Sequence, residues 1–105
     1  MPAVTCHLTY VIDPYKMAWF EEYGRLWMTF VNRYGGTHHG YFMPSEGRSD
    51  TAYALFSFPS LAAYEDYRVR AWQDPECLAV MEREKQERSI VRYDRTFLRP
   101  VLDPA

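Results

Sequence analysis

Two neighbouring histidines, His38 and His39, are framed by glycines and aromatic residues in the segment GGTHHGYFMPSEG, residues 35–47. An imidazole can carry protons near neutral pH or ligate a metal ion. Successive side chains of a strand point to opposite faces of the sheet, so these two rings cannot bind one ion from the same side. A zinc site also needs three or four ligands, and no cysteine or acidic residue has a suitable spacing. The sequence therefore predicts no metal site.

Strict alternation along this strand separates the candidate proton carriers. It places on one face His39, Tyr41 and Met43, and on the other His38, Gly40 and Phe42. We expect His39 and Tyr41 to face a cleft between sheet and helices, where an imidazole beside a phenol can donate and accept protons. A pairing register shifted by one residue would send His38 and Phe42 inward instead. A half-buried histidine, hydrogen-bonded within the hairpin, is the structural alternative.

Three further aromatic residues are candidates for contact with a ligand. Tyr10 lies late in the first predicted strand, on the face that carries Leu8 and Cys6, and its phenol can hydrogen-bond a ligand. Tyr23 and Trp27 lie on the apolar stripe of the first predicted helix, where a pair of rings suits an aromatic molecule. Each of these rings has an alternative role in the core, since burying one stabilises a fold by about 1.5 to 3 kcal/mol.

Arginines alternate with aromatic rings on the last predicted strand. One face carries Val91, Tyr93, Arg95, Phe97 and Arg99, and the other carries Arg92, Asp94, Thr96 and Leu98. An arginine can grip a carboxylate at the mouth of a pocket or stack on a ring, and we assign Arg99 to ligand binding on this basis. Charges on an edge strand alternatively serve to resist pairing with a further strand.

Four strands and three helical segments are predicted to position these residues. Strands are indicated by β-branched and aromatic residues over residues 5–12, 37–43, 50–58 and 89–98. Helices are predicted over residues 16–34, from residue 60 to about 73, and over 76–87. The order β, α, β, β, α, β predicts an α+β fold of the ferredoxin-like type, a βαββαβ sandwich with helices on one face of an antiparallel four-stranded sheet.

Start and stop signals lie at the ends of these elements. The predicted N-caps are Asp13, Ser60 and Asp74, two of which precede a proline. Gly35 and Gly36 are expected to end the first helix, residues 44–49 to form a turn, and Pro100 and Pro104 to mark an extended tail.

Length and composition limit the kind of protein. The chain has 105 residues, which predicts a single domain over residues 1–105, and its formal charge of −2 offers no basic surface for nucleic acid. Apolar runs are too short for a membrane span, and the first five residues do not resemble a secretory signal. Cys6 and Cys77 lack any zinc or redox spacing, so we expect reduced thiols in a cytoplasmic protein. No nucleotide-binding fingerprint occurs, and no cofactor is predicted.

Both faces of the predicted sheet carry apolar residues. On the first strand Cys6, Leu8, Tyr10 and Ile12 alternate with His7, Thr9 and Val11, and on the third Ala52, Ala54, Phe56 and Phe58 alternate with Tyr53, Leu55 and Ser57. Helices on one side leave the other face bare, and a second layer must cover it. The simplest cover is the same sheet of a second copy, so the sequence predicts a homodimer.

Four segments, in this order, are similar to those of a known family. They are TYVIDPYK (residues 9–16), with a strand entering a helix through a Pro-x-Lys turn, HGYFMPSEG (39–47), with a Gly-Tyr-Phe hairpin, LFSFPSLAAYEDYR (55–68) and DPEC (74–77). Together they resemble the NIPSNAP family of small dimeric α+β barrel proteins. The chain departs from that family at Tyr15, where glycine is usual, and at Cys77, where tryptophan is usual.

The resemblance implies the ferredoxin-like fold, a homodimer with facing sheets, and a small-molecule cavity between each sheet and its helices. The family offers no agreed catalytic motif to carry over. Our leading hypothesis is a protein that binds a small apolar or aromatic molecule in that cleft. One alternative is a cofactor-independent monooxygenase or isomerase that uses His39, Tyr41 and Tyr10 as proton carriers. Another is a structural or partner-binding dimer without catalysis.

Overall fold

The computed structural model describes residues 3–101 of the chain. Its elements are β1 (Val4–Ile12), a 3-10 turn (Pro14–Lys16), α1 (Met17–Arg33), β2 (Thr37–Phe42), β3 (Thr51–Phe58), α2 (Leu61–Ala71), α3 (Pro75–Glu87) and β4 (Ile90–Leu98). Every predicted strand and helix is present, with boundaries within two residues of those predicted. Of the two prolines predicted to mark a tail, Pro100 follows β4 and Pro104 lies outside the described residues. None of the helices described is long and apolar enough to cross a membrane.

Ser60 and Asp74 cap α2 and α3 as predicted, whereas Asp13 caps the 3-10 turn that precedes α1, and α1 itself begins after Lys16 without a side-chain cap. Asp13 accepts a hydrogen bond from the Tyr15 amide at 2.9 Å, Ser60 accepts one from the Ala63 amide at 3.1 Å, and Asp74 accepts one from the Glu76 amide at 2.8 Å. Each bond satisfies an amide that the first turn of a helix leaves without a partner. At the other end of α1, Gly35 adopts a φ of 95°, which glycine reaches without steric cost.

The four strands form one antiparallel sheet in the order β2-β3-β1-β4. β1 lies inside the sheet, and its residue Cys6 pairs with Phe56 of β3 and with Phe97 of β4. Consecutive strands β1 and β2 are therefore separated by β3, which is the order that two crossover helices impose in the ferredoxin-like fold. The predicted fold class is confirmed.

The helix-covered face of the sheet forms the core. Its buried strand residues are those predicted to share this face, namely Cys6, Leu8, Tyr10, Ile12, Ala52, Ala54, Phe56 and Phe58. From α1, Phe20, Phe30 and Val31 pack against them and are at most 1% exposed. Tyr23 and Trp27 belong to the same apolar stripe of α1 and are partly buried. They therefore lie over the same face of the sheet.

One carboxylate fixes the junction between α1, α3 and β4. Glu84 accepts hydrogen bonds from Trp19 Nε1 at 2.8 Å, from Ser89 Oγ at 2.5 Å and from the Ile90 amide at 2.9 Å. Trp19 and Ser89 are buried, so water does not replace these bonds if the carboxylate is lost. The three bonds hold α3 against α1 and against the start of β4.

The opposite face of the sheet, here called the open face, is covered by no element of residues 3–101. Its central residues are Thr5, His7, Thr9 and Val11 of β1 with Tyr53, Leu55 and Ser57 of β3. Phe42 and Tyr53 are 53% and 42% exposed. The open face mixes polar and apolar side chains, so the expectation of apolar residues on both faces is met fully only on the helix-covered side.

Candidate ligand cavity

A cavity of about 270 Å³ lies between the helix-covered face of the sheet and the helices. The strands contribute Leu8, Tyr10, His38, Tyr41, Phe56, Tyr93 and Arg95, and the helical segments contribute Tyr23, Trp27, Val31, Tyr64, Tyr67, Arg68, Ala71, Trp72 and Met81. The exposed members of this lining, Arg68, Trp72, Tyr93 and Arg95, mark its mouth. The volume suits a small ring compound rather than a large ligand.

Most of the residues proposed from the sequence reach this cavity. Tyr10, Tyr23, Trp27 and Tyr41 line it. Arg99 does not: it follows the end of β4 and is exposed. Its place is taken by Arg95, which shares the face predicted for Arg99 but lies opposite Leu8 in the middle of the β1–β4 pairing. A residue near the centre of a pairing stays close to the core, whereas one beyond the strand end does not.

The expectation that His39 and Tyr41 share a face is wrong, and His38 takes the place of His39. Along β2 and β3 the partners are His38 with Phe56, Gly40 with Leu55 and Tyr41 with Ala54, so one extra residue is accommodated between His38 and Gly40. This β-bulge keeps both His38 and Tyr41 on the cavity side, where their rings stack at 5.0 Å and 11°. His39 points to the open face, with Nε2 2.8 Å from Ser57 Oγ.

The bulge is stabilised by its own residues. Gly40 adopts a φ of 133°, which a residue with a Cβ rarely adopts. The Gly40 amide donates to Nδ1 of His38 at 3.0 Å, which satisfies a donor that the irregular pairing would leave free. A glycine inside a predicted strand is a recognised signal of a bulge, and it is the one feature of the sequence that could have indicated this arrangement.

His38 presents an N–H group in a buried setting. His38 is buried, with an exposed fraction of 9%. Its Nε2 has no hydrogen-bond partner in the described structure. Because Nδ1 accepts from the Gly40 amide, the neutral ring carries its proton on Nε2. Burial, and secondarily the neighbouring His39, lowers the pKa of His38 to about 4. At neutral pH the residue is therefore a neutral hydrogen-bond donor.

The buried phenols of the cavity are also donors at neutral pH. Burial raises the pKa of Tyr10, Tyr23, Tyr41 and Tyr67, so all four keep their protons. Tyr10 and Tyr41 are stacked at 6.1 Å, close enough for each to affect the pKa of the other. These side chains can hold an acceptor atom of a ligand, but they are poor bases.

The indole of Trp27 supplies a second buried donor without a partner. Its Nε1 is buried and makes no hydrogen bond among the described residues. The indole lies near enough to the Tyr23 phenol to lower the pKa of that phenol against the larger effect of burial, with ring centroids 6.2 Å apart, but the geometry does not complete a hydrogen bond. Buried N–H groups without partners are rare in folded proteins, and each calls for a function or a missing partner.

Arg68 lies at the mouth of the cavity and is not among the residues predicted from the sequence. Its helix α2 lines the cavity with Tyr64, Tyr67, Arg68 and Ala71. These positions follow the i, i+3, i+4, i+7 spacing of one helix face, so the stripe itself was a signal that could have found this residue.

Within residues 3–101, no group of three or more His, Cys, Asp and Glu side chains is arranged to hold a metal ion.

Comparison with known proteins gives a family and a fold. The sequence model of the NIPSNAP family matches residues 7–103. An uncharacterized NIPSNAP-like domain protein from Burkholderia xenovorans has a similar structure, with a TM-score of 0.79 and 19% identity over 98% of this chain and 90% of that one. A NIPSNAP family protein of unknown function from Agrobacterium tumefaciens has a TM-score of 0.80 and 17% identity over 98% and 93% of the two chains.

The same fold occurs in an enzyme. SnoaB, a cofactor-independent oxygenase from Streptomyces nogalater, has a TM-score of 0.70 and 15% identity over 99% of this chain and 98% of that one. At these identities the likeness establishes the fold and no more. No curated protein sequence matches the chain significantly.

Proposed function

The chain belongs to the NIPSNAP family, and from its own cavity we propose that it binds a small aromatic molecule between the sheet and the helices. The observation that carries this proposal is a cavity of about 270 Å³ walled by aromatic rings, beside two buried N–H groups that have no partner within residues 3–101. A side chain that served only as core would be packed to exclude such space and would have its polar atoms satisfied. Rings on both walls suit a flat apolar or aromatic ligand.

Binding is tested by titrating a neutral two-ring probe, naphthamide, into the protein by calorimetry. The matched variants are Ala71→Leu, which adds bulk to a 2% exposed residue of the cavity wall, and Ala62→Leu on the exposed side of the same helix. We expect Ala71→Leu to weaken binding at least about tenfold, because the added atoms occupy the ligand's space, and Ala62→Leu to leave it unchanged. Absence of binding to the unaltered protein, or equal binding by both variants, would contradict the proposal.

The side chains at the cavity favour binding over proton-transfer catalysis. His39, one of the three proton carriers of the enzymatic alternative, points to the open face. Tyr10 and Tyr41 have raised pKa values, and His38 is a weak base whose Nδ1 is already occupied. A general base works best when its pKa lies near the operating pH, and neither the two phenols nor His38 meets that condition. The oxygenase activity named for SnoaB therefore gives the weaker of the two proposals.

We also propose a homodimer joined through the open face. Leu55 and Val11 lie at the centre of that face, and Phe42 and Tyr53 at its edge are about half exposed. Burying such a surface against a second copy removes apolar area from water without any new element. Light scattering should give twice the chain mass of 12.5 kDa.

Paired variants place the contact on this face. Leu55→Asp should yield monomer because it puts a charge at the centre of the open face, whereas Leu61→Asp, on the exposed surface of α2, should remain dimeric. A stable monomer of the unaltered protein at micromolar concentration would exclude the dimer.

Cys6 and Cys77 are both free thiols, which supports the cytoplasmic location that forms part of this proposal.

A further inference from the structure

We infer that the ligand of this cavity is an aromatic anion, a ring compound whose carboxylate or similarly acidic group is held at the mouth by Arg68 and Arg95. The inference rests on the proposed function, since it specifies the chemical class of the molecule bound there. It is carried by three features of the lining: its charge, the proximity of its two cations, and its excess of hydrogen-bond donors.

Among residues 3–101, the cavity lining has two positive charges and no negative one. Its polar members are tyrosines, tryptophans, one histidine and the two arginines, with no aspartate, glutamate, asparagine, glutamine, serine or threonine. Among the ion pairs of residues 3–101, neither Arg68 nor Arg95 takes part. The nearby Glu84 carboxylate is occupied by Trp19, Ser89 and Ile90. A concave site lined by one sign of charge attracts ligands of the opposite sign.

The two guanidinium groups lie in one neighbourhood although they come from different elements. Arg68 on α2 and Arg95 on β4 are both close enough to Cys6 to offset part of the increase that burial causes in the pKa of its thiol. Both arginines also lie near Tyr64. The Arg68 guanidinium carbon is 5.8 Å from the centre of the Tyr64 ring, and the Tyr64 phenol raises the pKa of Arg95 against the effect of burial. Two cations brought together without a counter-ion repel each other, and an anionic ligand removes that repulsion.

Neither arginine has its hydrogen-bonding capacity exhausted. Arg68 donates once, from Nη1 to the Tyr64 hydroxyl at 2.9 Å, and Arg95 lies over the Tyr93 ring at 5.5 Å. A guanidinium has five N–H donors in a planar fork that matches the two oxygens of a carboxylate. The remaining donors are therefore available at the mouth. The alternative role of charges on this edge strand is to resist pairing with a further strand. That role fits Arg92 better, because Arg92 is exposed and lies opposite Val11 on the open face.

Donors also predominate deeper among the lining residues. The N–H groups of His38 and Trp27, which have no partner in the described part of the chain, can donate to a ligand, as can the protonated phenols. The phenol oxygens are the main acceptors that the lining side chains offer. A molecule rich in acceptor oxygens, with a flat ring for the aromatic walls, satisfies this set. A cationic or donor-rich ligand would leave the same groups without partners, which is costly in a buried site.

The test compares naphthoate with naphthamide, its neutral counterpart with the same ring system, by calorimetric titration at low and at physiological ionic strength. We expect naphthoate to bind at least about tenfold more tightly, as an additional charge-assisted pair is formed. Added salt should narrow the difference, because both arginines are exposed. Arg68→Gln and Arg95→Gln should each weaken naphthoate binding by roughly three- to tenfold and leave naphthamide binding within about twofold. Arg92→Gln is the matched control and should change neither.

The outcomes separate this inference from the proposed function. If naphthamide and naphthoate bind equally, or if the arginine variants keep the preference for naphthoate, the inference is wrong while the binding function stands. If neither probe binds, both are overturned. Retained naphthamide binding in the arginine variants also shows that they are folded, so a loss of naphthoate binding cannot be attributed to unfolding.

Discussion

Protonation of His38 is expected to make the stability of the protein depend on pH between about 7 and 5. The unfolded chain takes up a proton at this residue as the pH falls through 6.5, whereas the folded chain does not until about 4. The free energy of unfolding therefore falls as the pH is lowered across that interval, and this contribution levels off below it. At about 1.4 kcal/mol per pH unit, the full effect is roughly 3 kcal/mol, of which about 2 kcal/mol appears between pH 7 and pH 5.

The measurement is chemical denaturation at pH 7 and pH 5, at one protein concentration, for the unaltered protein and for His38→Asn. The asparagine oxygen can accept from the Gly40 amide in place of Nδ1 but does not titrate, so the variant should lose about 2 kcal/mol less stability than the unaltered protein over this interval. Gln86→Asn, at an exposed position of α3, is the control and should retain the full dependence.

The buried Asp74 carboxylate does not obscure this interval. The Tyr34 hydroxyl, with the Glu76 amide and Arg33, holds the pKa of Asp74 near 2, so its stabilising contribution is lost only as the pH falls from about 3.8 toward 2. Equal losses for the unaltered protein and His38→Asn between pH 7 and pH 5 would mean that His38 protonates freely in the folded state. The account of a buried, neutral donor beside the cavity would then be refuted.

Three other predictions follow from packing and hydrogen bonding. Glu84→Gln should lower the free energy of unfolding by about 1 to 3 kcal/mol in denaturation experiments, because an amide cannot accept all three hydrogen bonds of this carboxylate; the exposed Glu82→Gln should change it by less than about 0.5 kcal/mol. Deletion of His39 should preserve naphthamide binding, because it removes the bulge and restores regular pairing with the same two rings inward; loss of binding in a folded variant would contradict the bulge. Neither Cys6 nor Cys77 should react with a thiol reagent in the native protein, because both are at most 2% exposed and burial, with the Asp74 charge, raises the pKa of Cys77 to about 12; rapid labelling of either thiol before unfolding would contradict this.

The fold could be predicted because its helices and strands follow periodic patterns of apolar residues in the sequence. The apolar stripe of residues 16–34 and the alternation in residues 5–12 and 50–58 each extend over many residues, so one misplaced residue changes little in the pattern. The caps at Asp13, Ser60 and Asp74 depend on local hydrogen bonds two or three residues away, which the sequence displays directly. These parts of the structure were predictable because their causes are local or repeated.

The site was harder to predict because it depends on where a pairing is interrupted. Alternation assigned Tyr10 correctly, since β1 pairs regularly around this residue. On β2 a single extra residue reverses the face of every side chain beyond it. Arg68 and Arg95 come together only through tertiary packing of α2 and β4, and no spacing in the chain relates a residue of one to a residue of the other.

The bulge decides the chemistry of the site as well as its geometry. With strict alternation, an imidazole with both nitrogens free would have faced the cavity beside Tyr41, as a base near neutral pH requires. In the structure, the Gly40 amide occupies Nδ1 of His38 and burial lowers its pKa to about 4. The imidazole at the cavity is therefore that of His38, a fixed hydrogen-bond donor, in place of His39, the candidate proton carrier. A site composed of such donors, with two arginines at its mouth that form no ion pair within residues 3–101, is suited to holding an aromatic anion rather than to removing a proton from it.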